Sequence, residues 1–171
     1  LIRPDSGDAI LDGSSVTANP EEVRSKIGFL TSELKLEDFF TPNYLFDFFS
    51  RLHGVDEATI SERKQRMFSR FGIDRFAEVK VANLSTGMKQ KLSLVISLVH
   101  NPEIIIFDEP SAALTEAEIE EMFKIIRDLR EKQLGIVYIS HRMNELFQIT
   151  DRITVMRDGQ YVGTVNTNET N

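Results

Sequence analysis

The segment that most constrains the fold is an apolar run, Ile104-Ile105-Ile106-Phe107, which is followed by Asp108-Glu109-Pro110. Four consecutive apolar residues predict a strand that is covered on both faces in the core of a sheet. Ligands of open α/β sheets bind just beyond the carboxyl ends of the strands, where the two acids lie. Asp108 is therefore a candidate ligand of Mg²⁺, and Glu109 is a candidate for orienting an attacking water. A strand that ends in two solvated acids is the alternative interpretation.

Strand and helix patterns alternate after this run, and the last two strands flank a turn at Asp158-Gly159. This alternation predicts a parallel sheet with an added hairpin. The segment before the run is different, because it has helical periodicity and almost no strand signal. We therefore expect an α/β core formed by residues 1–33 and 102–171, into which a helical subdomain, residues 34–101, is inserted.

Two predicted helices carry apolar stripes at helical spacing. The buried face of the first is predicted to contain Leu45, Phe48, Phe49 and Leu52. The buried face of the second is predicted to contain Ile119, Met122, Phe123, Ile126 and Leu129. Thr115 and Glu118 have the spacing of a capping box at the start of the second helix.

Composition excludes several classes of protein. Lys and Arg total 20 and Asp and Glu total 27, which gives a net charge of −7. This acidic balance argues against a domain that neutralises nucleic-acid phosphates, so no nucleic-acid partner is expected. The absence of cysteine excludes disulfides and thiolate metal sites. The longest strongly apolar stretch, 92–99, is far shorter than the roughly 20 residues of a membrane-spanning helix.

Two further segments are candidates for phosphate binding. Asn83-Leu84-Ser85-Thr86-Gly87 opens a predicted helix, whose unpaired amides favour anions, and Gly87 allows close approach to the backbone. His141 follows a strand, so its imidazole is expected at the same sheet edge as the two acids. A plain serine N-cap and a surface histidine are the alternatives. His53 and His100 lack such context and are interpreted as structural, with His100 as a favourable group at a helix C-terminus.

Taken in order, the Leu84-Ser85-x-Gly87 helix start, the Asp-Glu-Pro strand and the later strand ending in histidine resemble the nucleotide-binding domain of ABC-type ATPases. The resemblance implies a P-loop NTPase-like (RecA-like) α/β fold, with a mostly parallel sheet and an inserted helical subdomain. It also implies ATP and Mg²⁺ as cofactors. In this family, Asp108 would bind the metal, while Glu109 and His141 would be catalytic. Ser85, Thr86 and Gly87 would contact the ATP that a partner domain holds.

The same resemblance implies partners and a location. A second nucleotide-binding domain would complete a homo- or heterodimer, and a transmembrane transporter subunit would contact the helical subdomain. The protein would then be cytoplasmic and peripheral on the inner face of the cell membrane. Two alternatives are a soluble ABC-type ATPase domain in DNA repair or translation and a catalytically incompetent fragment.

The sequence departs from the family pattern in its phosphate loop. None of the nine glycines is followed by lysine, so the Gly-x-x-x-x-Gly-Lys-Ser/Thr loop is absent. We expect an internal fragment of a longer ATPase that lacks its first strands and phosphate loop and binds ATP weakly by itself. Ser32 and Glu33 stand where the family has a glutamine that serves Mg²⁺ and water, which leaves Ser32 as the candidate nucleotide-binding residue there.

The two ends of the chain resemble different branches of the family. Residues 28–50 look like the ATPases of sodium-extruding exporters, and residues 118–167 look like those of sugar importers. A chimeric chain and a poorly sampled branch both explain this, so the transported substrate stays open. Phe39, Phe40 and Tyr44 are candidates for an apolar patch that docks a membrane subunit, with core packing as the alternative.

Overall fold

The computed structural model describes residues 4–31 and 36–169. Its strands are β1 (Ile10–Leu11), β2 (Ser14–Ser15), β3 (Ile27–Thr31), β4 (Ile104–Asp108), β5 (Gly135–Ile139), β6 (Arg152–Arg157) and β7 (Gln160–Asn166). Its α-helices are α1 (Pro20–Ser25), α2 (Pro42–Leu52), α3 (Glu57–Phe71), α4 (Thr86–Ser97), α5 (Glu116–Glu131) and α6 (Met143–Ile149). Among these described residues, no helix is long and apolar enough to cross a membrane.

A three-stranded parallel sheet in the order β3-β4-β5 forms the centre of the fold. At one end Ile27, Ile104 and Gly135 are in register, and at the other end Thr31, Asp108 and Ile139 are in register. The predicted parallel sheet is therefore confirmed. All three carboxyl ends lie at one edge, which places the residues that follow β4 and β5 beside each other.

The two faces of this sheet differ in cover. Leu30, Ile105 and Phe107 point to one face and are completely buried. On the opposite face Phe29 is 51% exposed and Val137 is 47% exposed. In β4 itself Ile105 and Phe107 are buried, whereas Ile104 and Ile106 are only partly buried. The predicted cover on both faces is therefore met fully on one face only within the described part of the chain.

One core connects the helices to the covered face. Residues of α2, α3, α4 and α5 share a cluster with the strand residues Leu30, Ile105 and Phe107. At Gly28 the end of α4 comes so close that an added Cβ would lie 2.6 Å from the carbonyl oxygen of Ser97. The regular structure described between residues 36 and 101 is entirely helical. Whether residues 34–101 form a separate subdomain stays a prediction, because residues 32–35 lie outside the described part.

The stripe predicted for α5 is confirmed, whereas the one predicted for α2 is wrong in part. All five predicted residues of α5 are buried. In α2, Phe48 and Leu52 are 46% and 66% exposed, whereas Phe46 is completely buried. Phe46 makes an edge-to-face contact with Phe68 of α3, with ring centroids 5.6 Å apart. The buried face of α2 is therefore rotated away from the predicted one.

Local signals in the sequence fix several ends of elements. Thr115 and Glu118 form the predicted capping box at the start of α5. Asp158 and Gly159 both have positive φ angles, 50° and 74°, which form the predicted tight turn between β6 and β7. Gly72 has a φ of 68° and ends α3 in the left-handed conformation.

Candidate active site

The loop after β4 begins with an unusual backbone conformation. Asp108 is the last residue of the strand, and Glu109 follows with a φ of +49°, a left-handed conformation uncommon for a glutamate. The Glu109 amide donates to the carbonyl oxygen of Ile139 at 3.0 Å, which holds the loop against β5. Strained backbone of this kind clusters at functional sites. It turns the Glu109 side chain toward the residues that follow β5.

Glu109 and His141 form a hydrogen-bonded pair at this edge. The Oε1 atom of Glu109 accepts from the His141 backbone amide at 3.1 Å and from its ring nitrogen Nδ1 at 2.9 Å. Because the carboxylate is the acceptor, Nδ1 carries a proton and Nε2 is left for another partner. The His141 side chain is 77% exposed, so Nε2 is accessible to a ligand.

The second carboxylate oxygen of Glu109 has a different environment. Oε2 is buried and has no hydrogen-bond partner within the described residues. A buried polar atom without a partner carries an energetic cost, which a bound water or ligand would remove. One oxygen of Glu109 is thus fixed by His141, and the other is buried without a hydrogen-bond partner among the described residues.

Asp108 supplies a second carboxylate at this edge of the sheet. It is half-buried at the end of β4, in register with Thr31 and Ile139. Mg²⁺ is usually held by one or two carboxylates together with substrate phosphates and waters. In the described residues, no group of three or more His, Asp or Glu side chains could hold a metal ion alone. A carboxylate such as Asp108 fits a magnesium site in which substrate phosphates and waters supply the other ligands.

The segment around Ser85 forms the start of α4. The Ser85 hydroxyl caps this helix by accepting from the Met88 amide at 3.2 Å, and Ser85 and Thr86 are both exposed. Gly87 is buried, and an added Cβ would lie 2.3 Å from Oε1 of Glu118. In this structure a carboxylate of the same chain thus occupies the space that the missing side chain of Gly87 leaves.

Glu118 itself is held in an ionised state. Hydrogen bonds from the Thr115 amide and hydroxyl lower the pKa of Glu118, and the Gly87 amide adds to this effect. The same region is tied to the loop after β4, because the Gln90 side-chain amide donates to the Pro110 carbonyl oxygen at 3.0 Å. The start of α4 is therefore connected through its own chain to the segment that carries Glu109.

The structure brings Glu109 and His141 together as predicted and places Asp108 at the same edge. Ser85, Thr86 and Gly87 lie instead at the start of α4, where the contacts of Gly87 go to α5. Ser32 lies outside the described residues. Sequence reasoning missed Glu145, a buried acid in α6 that accepts hydrogen bonds from Ser111 and Tyr138. Its position four residues after His141 was the available signal, but nothing in the sequence marks it as buried.

Comparison with known families identifies one family model that covers most of the chain. Residues 1–112 match the family model described as "ABC transporter". The chain belongs to the ABC transporter family. This match includes the helix start at Ser85 and the strand that ends at Asp108.

Curated relatives of this ABC transporter chain include sugar import proteins. It is 37% identical over 176 residues to the putative ribose/galactose/methyl galactoside import ATP-binding protein 2 of Agrobacterium fabrum, which covers 96% of the chain and 33% of that relative. It is 36% identical over 180 residues to the ribose import ATP-binding protein RbsA of Streptococcus agalactiae, covering 100% of the chain and 36% of that relative. The chain spans about a third of the length of these curated relatives. The similarity to sugar importers is therefore not confined to the carboxyl-terminal part.

A solved structure shows the same fold. The chain superimposes on cbiO1 from Clostridium perfringens, described as part of the ABC transporter complex cbiONQ, with a TM-score of 0.84 and 22% sequence identity. The match covers 99% of this chain and 69% of the solved one. The predicted P-loop NTPase-like α/β fold is thereby confirmed.

Proposed function

We propose that the whole protein hydrolyses ATP as the nucleotide-binding subunit of a membrane transporter. The observation that carries this proposal is the Glu109–His141 pair at the carboxyl edge of the sheet, next to Asp108. Family membership and the names of the relatives favour a transporter over a DNA-repair or translation ATPase.

The chemistry follows from the two oxygens of Glu109. Oε1 is fixed by His141, whereas Oε2 is buried and unpartnered in the described chain. Once nucleotide binding makes it accessible, Oε2 would hold a water in line with a terminal phosphate and accept its proton. His141 contributes Nε2 as a hydrogen-bond donor to the phosphate when the ring is protonated. Asp108 would hold Mg²⁺, which supplies neutralisation of phosphate charge when bound.

The exposed face of the sheet suggests where the phosphate loop packs in the whole protein. Phe29, Val137 and Ile139 expose apolar surface there, and Asp108 lies on the same face at the catalytic edge. Contiguous exposed apolar surface marks a site of contact with other parts of a protein or with partners. We assign this face to a segment of the longer protein that carries the phosphate-binding loop.

Ser85, Thr86 and Gly87 are assigned to the ATP of a second nucleotide-binding domain. The support is the exposed start of α4, whose amides and helix dipole favour phosphate, together with the family pattern. In the chain alone, Glu118 lies against Gly87, so a phosphate from the partner would have to displace this carboxylate.

An aromatic row at the start of α2 is assigned to the membrane subunit. Phe39, Tyr44 and Phe48 are between 46% and 61% exposed. The rings of Phe40 and Tyr44 stack with centroids 4.3 Å apart, and Tyr44 and Phe48 stack at 6.2 Å. The row borders a groove of about 260 Å³. Such a surface fits a short apolar segment of a membrane protein at its cytoplasmic side.

The names of the relatives make a monosaccharide such as ribose or galactose the substrate class to test first. The test compares the uptake of radiolabelled ribose by cells that carry the whole transporter with its uptake by cells that lack this subunit.

The decisive experiment uses the whole protein with the variant Glu109→Gln. The amide retains the shape of the side chain but cannot accept the proton of water, so we expect ATP hydrolysis to fall by about 100-fold or more. ATP should then stay bound in a stable dimer. The control is Glu131→Gln, which removes an exposed acid at the end of α5. Wild-type hydrolysis rates in the Glu109→Gln variant would contradict the proposal.

A further inference from the structure

A buried carboxylate lies directly behind the Glu109–His141 pair. Glu145 is only 5% exposed, in the first turn of α6. Its Oε2 atom accepts hydrogen bonds from the Ser111 hydroxyl at 2.8 Å and the Tyr138 hydroxyl at 2.8 Å. The Ser140 hydroxyl donates to the same oxygen at 3.3 Å. Its other oxygen, Oε1, lies 3.2 Å from the guanidinium of Arg142.

Burial of a carboxylate is costly unless it is paired and hydrogen-bonded, and this one has both kinds of partner. Burial and the hydrogen bond to Glu145 also raise the pKa of the Tyr138 hydroxyl. The Tyr138 ring also packs against Phe107 and Phe123, with centroids 5.9 and 6.4 Å away. The network is therefore anchored in the covered core and not at the surface.

Two of these donors, Ser111 and Ser140, lie in the two loops that carry the candidate catalytic pair. Ser111 follows Glu109 by two residues, and Ser140 directly precedes His141. The Ser140 hydroxyl additionally accepts from the Arg142 amide at 3.0 Å, which fixes the backbone on both sides of His141. One side chain, Glu145, thus holds the two segments whose relative position sets the 2.9 Å contact between His141 and Glu109.

We propose that Glu145 is a positioning residue that keeps the loop after β4 and the loop after β5 in register, so that Glu109 and His141 meet. The inference rests on the proposed ATP hydrolysis. Glu145 does not contact the reacting groups, and it acts through Ser111 and Ser140. A shift of about 1 Å at a catalytic group can lower a rate by about 100-fold, which is why such support matters.

The test is the variant Glu145→Gln in the whole protein, assayed for ATP hydrolysis. Glutamine keeps the volume and one acceptor oxygen but loses the charge that orders its four donors. We expect kcat to fall by about 10-fold, with the KM for ATP unchanged within about 2-fold, because the lost interaction serves the reaction and not binding. A purely structural role would lower the yield of folded protein and leave the kcat of the folded fraction unchanged.

A second variant, Tyr138→Phe, removes one donor and keeps the ring packing. It should lower kcat by about 2- to 5-fold, and the double variant should be no slower than Glu145→Gln, since groups of one network are not additive. If Glu145→Gln does not fold, Tyr138→Phe and Ser111→Ala carry the test in the same direction. The control is Glu120→Gln on the exposed side of α5, which should leave kcat unchanged.

The outcomes separate the two levels of the account. A whole protein without ATP hydrolysis would contradict the proposed function itself. Wild-type hydrolysis that is unchanged in Glu145→Gln, Tyr138→Phe and Ser111→Ala would overturn the positioning role alone. Independent, multiplicative losses in the double variant would overturn it as well.

Discussion

The two faces of the central sheet have opposite environments. On the covered face, Leu30, Ile105 and Phe107 are completely buried beneath helices of the same chain. On the open face, Phe29 and Val137 keep about half of their surface in solvent. The strands are the same, and only the alternation of side chains separates the two sets.

The two faces also differ in which residues they carry. The covered face holds the shared core and, through Tyr138, the network around Glu145. The open face holds Asp108 at the carboxyl end of β4. Under the proposed function, the nucleotide would be held on the face that the described chain leaves exposed, and the covered face would support the site from behind.

The largest expected effect comes from a charge on the open face. Val137→Lys in the whole protein would place an ammonium group where we expect a covering segment, and burial of an unpaired charge is strongly unfavourable. We expect loss of folded, ATP-binding protein, measured by gel filtration and nucleotide binding. Ala58→Lys adds the same charge at an exposed position of α3 and should be tolerated. Normal ATP binding by Val137→Lys would show that this face stays open.

A cavity on the covered face should have the next largest effect. Phe107→Ala removes a completely buried ring and should lower the free energy of unfolding by about 3–5 kcal/mol. Phe39→Ala, at a ring that is 61% exposed, should change it by about 0.5 kcal/mol or less. Urea denaturation of the whole protein measures both. Equal losses would remove the distinction between the covered face and the surface.

The N-terminal cap of α5, one of the helices on the covered face, should have a smaller effect on stability. Thr115→Ala removes the hydroxyl that accepts from the Glu118 amide and should lower the free energy of unfolding by about 1 kcal/mol. Thr115→Ser keeps the hydroxyl and should lower it less. Thermal denaturation followed by circular dichroism compares the two variants. An unchanged melting temperature for Thr115→Ala would contradict a stabilising role of this cap.

The smallest expected effect is a pH dependence of the folding stability. It comes from His100, which lies near Ile27 at the end of the sheet opposite Asp108. His100 donates from Nε2 to the Ile27 carbonyl oxygen at 3.0 Å, and burial, followed by repulsion from the stacked His53 ring, lowers its pKa. A lowered pKa means that the unfolded chain binds more protons. The stabilising contribution of His100 is therefore complete above about pH 6.5 and is lost as the pH falls.

Unfolding measured between pH 8 and pH 5 should show this loss, and His100→Gln should make the slope shallower. An identical slope in the variant would contradict the assignment.

Signals that depend on local spacing could be predicted from the sequence. The apolar strand ending at Asp108, the five-residue stripe of α5 and the turn at Asp158-Gly159 all have one favoured arrangement. The buried face of α2 could not be predicted, because the helix has apolar side chains of its own on several sides. The contact of Phe46 with Phe68 then decides which side is buried.

For the candidate site, the shared edge of Glu109 and His141 could be predicted, whereas the local geometry could not. That Glu109 and His141 share an edge follows from parallel strands, whose carboxyl ends meet. The left-handed backbone at Glu109 and the burial of Glu145 depend on contacts between segments distant in sequence, such as Ser111 and α6. Such contacts leave no periodic signal.

The most direct test of the account is a double-mutant cycle for ATP hydrolysis by the whole protein, with Glu109→Gln and His141→Ala. If the two side chains act as one hydrogen-bonded unit, each single variant loses about 100-fold or more in kcat, and the double variant is about as slow as the slower single one. Full activity in either single variant, or losses that multiply in the double variant, would contradict the claim that this pair performs the reaction.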